Sequence, residues 1–372
     1  MNLKNKIAIL GAGRIGTTIA EDLSANFEVT YFDLHINKRL STNKYINFVQ
    51  TNLSDYTQYP TLLTPFDLVV SAVPGYMGFK TLQAIIQAGK NVADISFFEE
   101  DGLQLHELAT QNNVTAIFDC GVAPGMSNFI LGYYNAQINI NSFECMVGGL
   151  PKIRVKPFEY KAPFSPIDVI EEYTRPARYI ENGHVVTKPA LSDAELLHFT
   201  QVGTLECFNT DGLRSILHTM AHIPNIKEKT LRYPGHIALI QALQQIGFFN
   251  KPEINIEGKM ISPLALTNAL LFKNWLPALN EQEFTIMKMI INGENKTISY
   301  LLYDEYDQIS NTSSMSRTTG YACNAFAHLI LNNLFTKKGA YPPELIGHDG
   351  ACFQFVMNYL AQRNVNYNKI EA

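Results

Sequence analysis

Charge is scarce in this chain. Asp, Glu, Lys and Arg make up 17% of its 372 residues and the net charge is −5, so the basic surplus of a nucleic-acid binder is missing. No block of five or more like charges occurs, which argues against an interaction tail and against a basic membrane-surface patch. The five cysteines, Cys120, Cys145, Cys207, Cys323 and Cys352, lie far apart with no CxxC pair. Neither a zinc site nor a disulfide framework is signalled, and no metal is expected. No apolar run reaches the roughly eighteen residues of a spanning helix, so no membrane partner is expected either. The start, MNLKNKIAIL, holds an apolar stretch too short for a secretory leader. The expectation is a soluble cytoplasmic protein, in which the Asn-x-Ser/Thr triplets at Asn52, Asn295 and Asn311 carry no glycosylation meaning.

What is present begins at residue 6. KIAIL is a short apolar run of the kind that a strand buried on both faces requires. It leads into GAGRIG, with Gly11, Gly13 and Gly16 in GxGxxG spacing, and then into TTIAEDLSAN, whose spacing is helical. A second run, FEVTYFD, ends in Asp33, twenty positions after Gly13. Strand, glycines, helix, strand and acid in this order specify a dinucleotide site. Gly11 makes the tight turn, Gly13 admits the pyrophosphate and Gly16 lets helix pack on strand. Arg14 and Ile15 belong to the same loop, where the helix start offers its N–H groups. Asp33 is expected to bind the adenosine ribose and to repel a 2′-phosphate. NAD is therefore expected over NADP, with Leu34 and His35 directly behind the acid and Lys38 and Arg39 a little further on.

The alternation continues through INFVQTNLSD, FDLVVSAVPGYMGF with helical TLQAIIQAG behind it, NVADIS, helical HELATQNN and VTAIFD. It predicts a Rossmann-type doubly wound parallel sheet, class α/β, with ligands at the carboxyl ends of the strands. Those ends carry Asn52 and Leu53 beside the adenine, and Ala72, Val73 and Pro74 as a low shelf under ribose and nicotinamide. They also carry Asp94 and Ser96, and the stretch from Asp119 through Gly121 and Val122 to Gly125. In FDCGVAPGMSN (118–128) a strand stops, two glycines and a proline follow, and a helix starts. A helix start with bare backbone beside it suits an anion or an electron-rich group. A plain strand–turn–helix joint is the alternative.

From about residue 129 the texture changes to mixed strands, turns and short helices. Three parts are expected: a dinucleotide-binding domain at 1–128, an α+β substrate domain at 129–314, and helices at 315–372 that return to the first domain. FTIMKMIING and ISYLLYDEYD read as a hairpin, and the exposed edge of the 284–303 region would favour a homodimer. The middle part also holds Arg175, Asp211, Arg214, Arg232 and His236. Arginine forks suit carboxylates, and acids suit an ammonium group.

The stretches SAVPGYMGF, DCGVAPGMSN, VGGLPK, EYTRPAR, NTDGLRS, KTLRYPGH, SSMSRTTGY and PPELIG occur in an order that closely resembles the saccharopine dehydrogenase-like family, above all its lysine 6-dehydrogenase branch. The resemblance spans most of the chain. It implies a Rossmann domain joined to an α+β substrate and dimerisation domain, and an NAD-dependent oxidoreductase acting at a carbon that bears an amine. It brings Gly148 and Gly149 of VGGLPK into the expected substrate contacts. Saccharopine-forming members carry an acid in the turn, as DPG, and a cysteine before GGLP. Ala123 and Val147 stand at those positions here, which fits the lysine dehydrogenase pattern better.

Under that resemblance the side-chain CH–NH2 of L-lysine is oxidised to the 6-semialdehyde, which cyclises to a piperideine carboxylate. Asp119 is the first candidate for the base and His236 the second. Arg214 or Arg232 would clamp the α-carboxylate and Asp211 the α-ammonium, with Arg175 nearby. Two alternatives stay open: a saccharopine or carboxynorspermidine type reductase, and a dinucleotide-binding protein without catalysis.

Overall fold

Short apolar runs without polar alternation become the buried strands of the first of two units. The computed structural model describes residues 5–163, 166–278 and 280–370. The first four residues of the segment read above for a leader lie outside them. The first unit comprises residues 5–140, 214–220 and 316–366. Its strands are β1 (Lys6–Leu10), β2 (Glu28–Asp33), β3 (Ile46–Gln50), β4 (Leu68–Ser71), β5 (Val92–Asp94) and β6 (Thr115–Ile117). Their order in the sheet is β3-β2-β1-β4-β5-β6, and a seventh strand, Gly339–Tyr341, pairs in parallel beyond β6. All pairs in this sheet are parallel. The order reverses between β1 and β4, the switch point at which such sheets open a crevice for a ligand. The fold is the Rossmann-type sheet that the spacing predicts. Its core packs Leu10, Phe32, Val69, Ile85, Val92 and Phe118 with no exposure above 2%.

The second unit comprises residues 141–213, 221–315 and 367–370, apart from those outside the description. It is built on a mixed sheet of β7 (Ile140–Pro151), β8 (Ala177–Glu181), β9 (His184–Lys188), β10 (Glu195–Phe199), β11 (Gly203–Asn209) and β12 (Asn225–Arg232). After a separate hairpin of β13 (Ile254–Ile256) and β14 (Lys259–Ile261), β15 (Glu283–Gly293) and β16 (Thr297–Glu305) complete it as an antiparallel pair. The order runs β10-β11-β12-β7-β15-β16, and the strand Tyr367–Ile370 pairs on the far side of β16. The 284–303 hairpin is present, but its expected exposed edge is not. β15 lies inside the sheet and β16 is covered from Ser299 to Leu302, so the case for a second copy no longer rests on that edge. Among the described residues no helix is long and apolar enough to cross a membrane.

Candidate active site

The three glycines of the first loop are bare for three different reasons. Gly11 has φ +94° and a Cβ on it would lie 2.6 Å from the Ala72 carbonyl oxygen. A Cβ on Gly16 would lie 2.2 Å from the Gly11 carbonyl oxygen, so helix and strand touch there. Gly13 meets nothing within 4 Å. Its open face lies at the start of the Arg14–Ser24 helix, which no side chain caps. An uncapped helix start beside open space fits a pyrophosphate.

Asp33 ends β2 with one carboxylate oxygen accepting the Ala12 N–H at 2.8 Å and the other the His35 N–H at 3.2 Å. It therefore fixes the glycine loop, and a carboxylate retains lone pairs for ribose hydroxyls beyond those two bonds. Arg39, one of the two cations behind Asp33 that could greet a 2′-phosphate, is engaged by Glu21 through bonds of 2.6 and 2.5 Å.

Several expected cofactor contacts turn inward instead. The Leu53 and Val73 side chains pack into the core of the unit, leaving only their backbone for a ligand. The Asn52 carboxamide oxygen accepts from Ser54 N–H and Oγ, closing a local turn. Pro74 is exposed and Ala72 half-buried, as a shelf requires. Ser96 is buried and donates both its N–H and its hydroxyl to Asp94, at 3.1 and 2.8 Å.

The turn after β6 answers its own N–H groups. Met126 N–H donates to Gly121 O and Ser127 N–H to Val122 O, each at 3.0 Å. Gly125 has φ +140°, and a Cβ on it would sit 2.0 Å from Gly121 O. The bare backbone at Gly121 and Gly125 thus serves the closure of the turn, not the approach of an anion or a substrate carbon. What the turn presents is Asp119. Its side chain is 1% exposed, and one carboxylate oxygen accepts from Arg214 Nε at 2.8 Å. The other oxygen, Oδ1, is buried with no hydrogen-bond partner. Burial pushes the Asp119 carboxyl up from its ordinary value and the Arg214 charge opposes that rise. Arg214 also donates to Phe98 O and stands 5.0 and 4.8 Å from the Phe97 and Phe98 ring centroids.

Two sequence candidates, Asp119 and Arg214, are therefore brought together, but on each other. Arg214, expected as a clamp for a substrate carboxylate, is engaged by Asp119 instead. Beside them Asp94, wholly buried at the end of β5, has its carboxyl pushed up to about 7, chiefly by burial.

The second unit corrects the remaining assignments. His236 is buried, with Nδ1 2.9 Å from Phe158 O and Nε2 2.9 Å from Tyr173 Oη. The carbonyl requires a proton on Nδ1, so Nε2 accepts from the tyrosine and no nitrogen is left for a substrate. Burial and the neighbouring Arg232 push the imidazole down to about 3. It is a core histidine. Arg232 donates to Tyr173 Oη, Leu231 O and Glu172 at 3.0, 2.9 and 2.7 Å, so its fork is filled from within. Asp211 is paired with Arg178 through two bonds of 2.9 Å and does not wait for an ammonium group. Arg175 pairs with Glu171 one helical turn back. Gly148 and Gly149 are bare because a Cβ would collide with Leu231 O at 2.7 Å and with Met315 and Pro163 at 2.9 Å. These are packing glycines.

Residues 7–117 match the family model described as the saccharopine dehydrogenase NADP binding domain, and residues 121–365 match the one described as the saccharopine dehydrogenase C-terminal domain. The chain belongs to the saccharopine dehydrogenase family. Among curated relatives of this family member, an alpha-aminoadipic semialdehyde synthase of Arabidopsis thaliana is 26% identical over 83% of this chain and 34% of its own length. A saccharopine dehydrogenase [NADP(+), L-glutamate-forming] of Pyricularia oryzae is 24% identical over 66% of this chain and 58% of its own. The chain thus spans about a third of the first relative and less than two thirds of the second. The solved apo saccharopine dehydrogenase (L-Glu forming) of Saccharomyces cerevisiae shares the fold, with a TM-score of 0.79 at 18% identity, covering 98% of this chain and 99% of that one.

Proposed function

We propose that this family member oxidises L-lysine at the carbon bearing its side-chain amine, with NAD preferred as hydride acceptor. The observation that carries the reading is Asp119 Oδ1, a buried carboxylate oxygen without a partner at the carboxyl edge of the dinucleotide-binding sheet. Buried polar atoms in folded proteins are nearly always satisfied, so an orphan oxygen at a ligand-binding edge calls for a donor on the ligand. An amine N–H is such a donor.

The lysine side-chain ammonium has a pKa of about 10.4, and hydride departs only from a carbon next to a neutral amine. Asp119 takes that proton. Its upward shift makes it a stronger base than a solvated aspartate, while the Arg214 charge opposes that rise and holds the carboxylate in place. When bound, the dinucleotide would supply the hydride acceptor, its pyrophosphate held by the Gly13 face and the Arg14 helix start and its adenosine ribose by Asp33. Water then adds to the substrate imine, ammonia leaves, and the aldehyde closes onto its own α-amine. Ala123 places no second charge in the turn, which suits a free amine better than a larger dicarboxylate adduct.

The names of the curated relatives favour a second reading, in which saccharopine is the substrate and the same carbon–nitrogen bond is cleaved. An absorbance assay of NADH and NADPH formation with L-lysine, saccharopine and polyamines separates the two. Lysine with NAD should give steady turnover without a keto acid, rising from pH 7 into the alkaline range. Turnover of saccharopine but not lysine would falsify the proposal.

The NAD preference has its own check. Asp33→Ala should weaken NAD binding by about 100-fold or more, since two hydrogen bonds to a charged acceptor are lost at about 1.5–3 kcal/mol each. NADP should lose less, because a repelling charge disappears with it. An equal loss for both cofactors would return Asp33 to a purely loop-fixing role.

A further inference from the structure

We infer that Glu344 is a positioning residue for the Asp119–Arg214 pair, linking the helix behind the Asp119 turn to the segment that carries Arg214. This rests on the reading of that pair as the catalytic centre. Glu344 has no exposure and lies on the short helix Pro343–Gly347. One of its carboxyl oxygens accepts from Thr219 Oγ1 at 2.7 Å and the other from Asn128 Nδ2 at 3.1 Å. The Asn128 carboxamide is held in turn by Ser127 Oγ at 3.0 Å. Asn128 sits in the first turn of the helix Met126–Asn135, which starts where the Asp119 turn ends.

Glu344 itself cannot drift from that helix. A Cβ on Gly132 would lie 2.0 Å from Glu344 O, and one on Gly347 would lie 2.2 Å from Phe129 O, so the two backbones are in direct contact. Thr219 closes the helix Ile216–Thr219, which follows Arg214 by two residues. Among the described residues from 141 to 315, only the stretch 214–220 belongs with the dinucleotide-binding unit. Arg214 has φ +48°, a left-handed conformation that non-glycine residues hold only when their surroundings impose it. The Thr219–Glu344 bond fastens that stretch five residues beyond the strained position. Burial raises the Glu344 carboxyl, and the hydrogen bonds it accepts from Thr219 and Asn128 oppose that rise.

The test compares Glu344→Ala, Glu344→Gln, Thr219→Val and Arg214→Lys in the full chain. Readouts are kcat and KM for L-lysine and saccharopine, NADH affinity by fluorescence, and thermal midpoint. Glu344→Ala should lower kcat by roughly 10- to 100-fold, the scale of a small misplacement at a reacting centre. NADH affinity should stay within about twofold, because the glycine loop is untouched. Glu344→Gln should recover most of the loss, since its carboxamide oxygen still accepts from Thr219. A lowered thermal midpoint with unchanged kcat in Glu344→Ala would overturn the inference. If Glu344→Ala does not fold, Thr219→Val decides: reduced kcat supports the inference and normal kcat overturns it. If Arg214→Lys is impaired while the Glu344 and Thr219 variants are not, the inference fails and the reading of the site stands. If Arg214→Lys turns over normally, that reading falls and takes the inference with it.

Discussion

Asp119→Asn is expected to lower turnover of L-lysine by about 10²- to 10⁴-fold, the usual contribution of a positioned base. Asparagine is the informative replacement for a backbone reason. Asp119 has φ +57°, a left-handed conformation that Asn adopts readily and Ala does not, so the amide removes the base without straining the turn. It also keeps an oxygen for Arg214 Nε but loses the charge, leaving a buried guanidinium with no counter-ion. Some stability should go with it, up to about 3–5 kcal/mol for a broken buried pair. NADH affinity separates the two effects: a base-only role leaves it near the wild-type value. A variant that binds NADH, melts lower and still turns over lysine at nearly the normal rate would make Asp119 a cap for its turn and nothing more.

Asp94→Asn is expected to change how stability depends on pH. The Asp94 carboxyl titrates at about 7 in the folded chain and near about 3.9 when unfolded. A raised folded value means that the protonated acid is favoured by folding. The stabilisation is therefore complete below pH 3.9 and lost as pH climbs towards 7. Three pH units correspond to about 4 kcal/mol, and no solvent screens a fully buried group. Denaturant midpoints measured from pH 4 to 8 should show this decline in the wild type and a flatter curve in Asp94→Asn. The substitution should cost about 1 kcal/mol at low pH, where the amide no longer accepts from both Ser96 donors, and become favourable above neutrality. Parallel curves for the two proteins would rule out Asp94 as the titrating group.

The parts legible in the sequence are those whose physics is local. KIAIL, GAGRIG and the acid at Asp33 lie within one βαβ unit, and each residue type is demanded by backbone that is near in the chain. The β15–β16 hairpin was legible for the same reason. The strand Gly339–Tyr341 was not, because three residues with no alternation become a strand only through β6, more than two hundred positions earlier. The ion pair that organises the site spans Asp119 and Arg214, and no periodicity announces it. Glu344 and Asn128 are likewise joined across a gap of 216 positions. The roles expected of His236 as a base and Arg232 as a clamp fail because nothing in the local sequence around YPG signals that both are buried. In the fold they face Tyr173, Tyr160 and Trp275, and an imidazole sealed among rings has no access to a substrate.

The seventh strand has a consequence for biosynthesis. The ribosome completes residues 5–140 early, yet the sheet they form ends in β6 until Gly339–Tyr341 emerges. At roughly 5–20 residues per second, those two hundred intervening residues take about 10–40 s. Throughout that interval β6 is an open strand edge, able to pair with another nascent chain. The helix Met126–Asn135 waits as long for the Pro343–Gly347 backbone that fits against Gly132. Slow codons between residues 140 and 339 should therefore reduce the yield of folded protein, and a chaperone that shields strand edges should restore it.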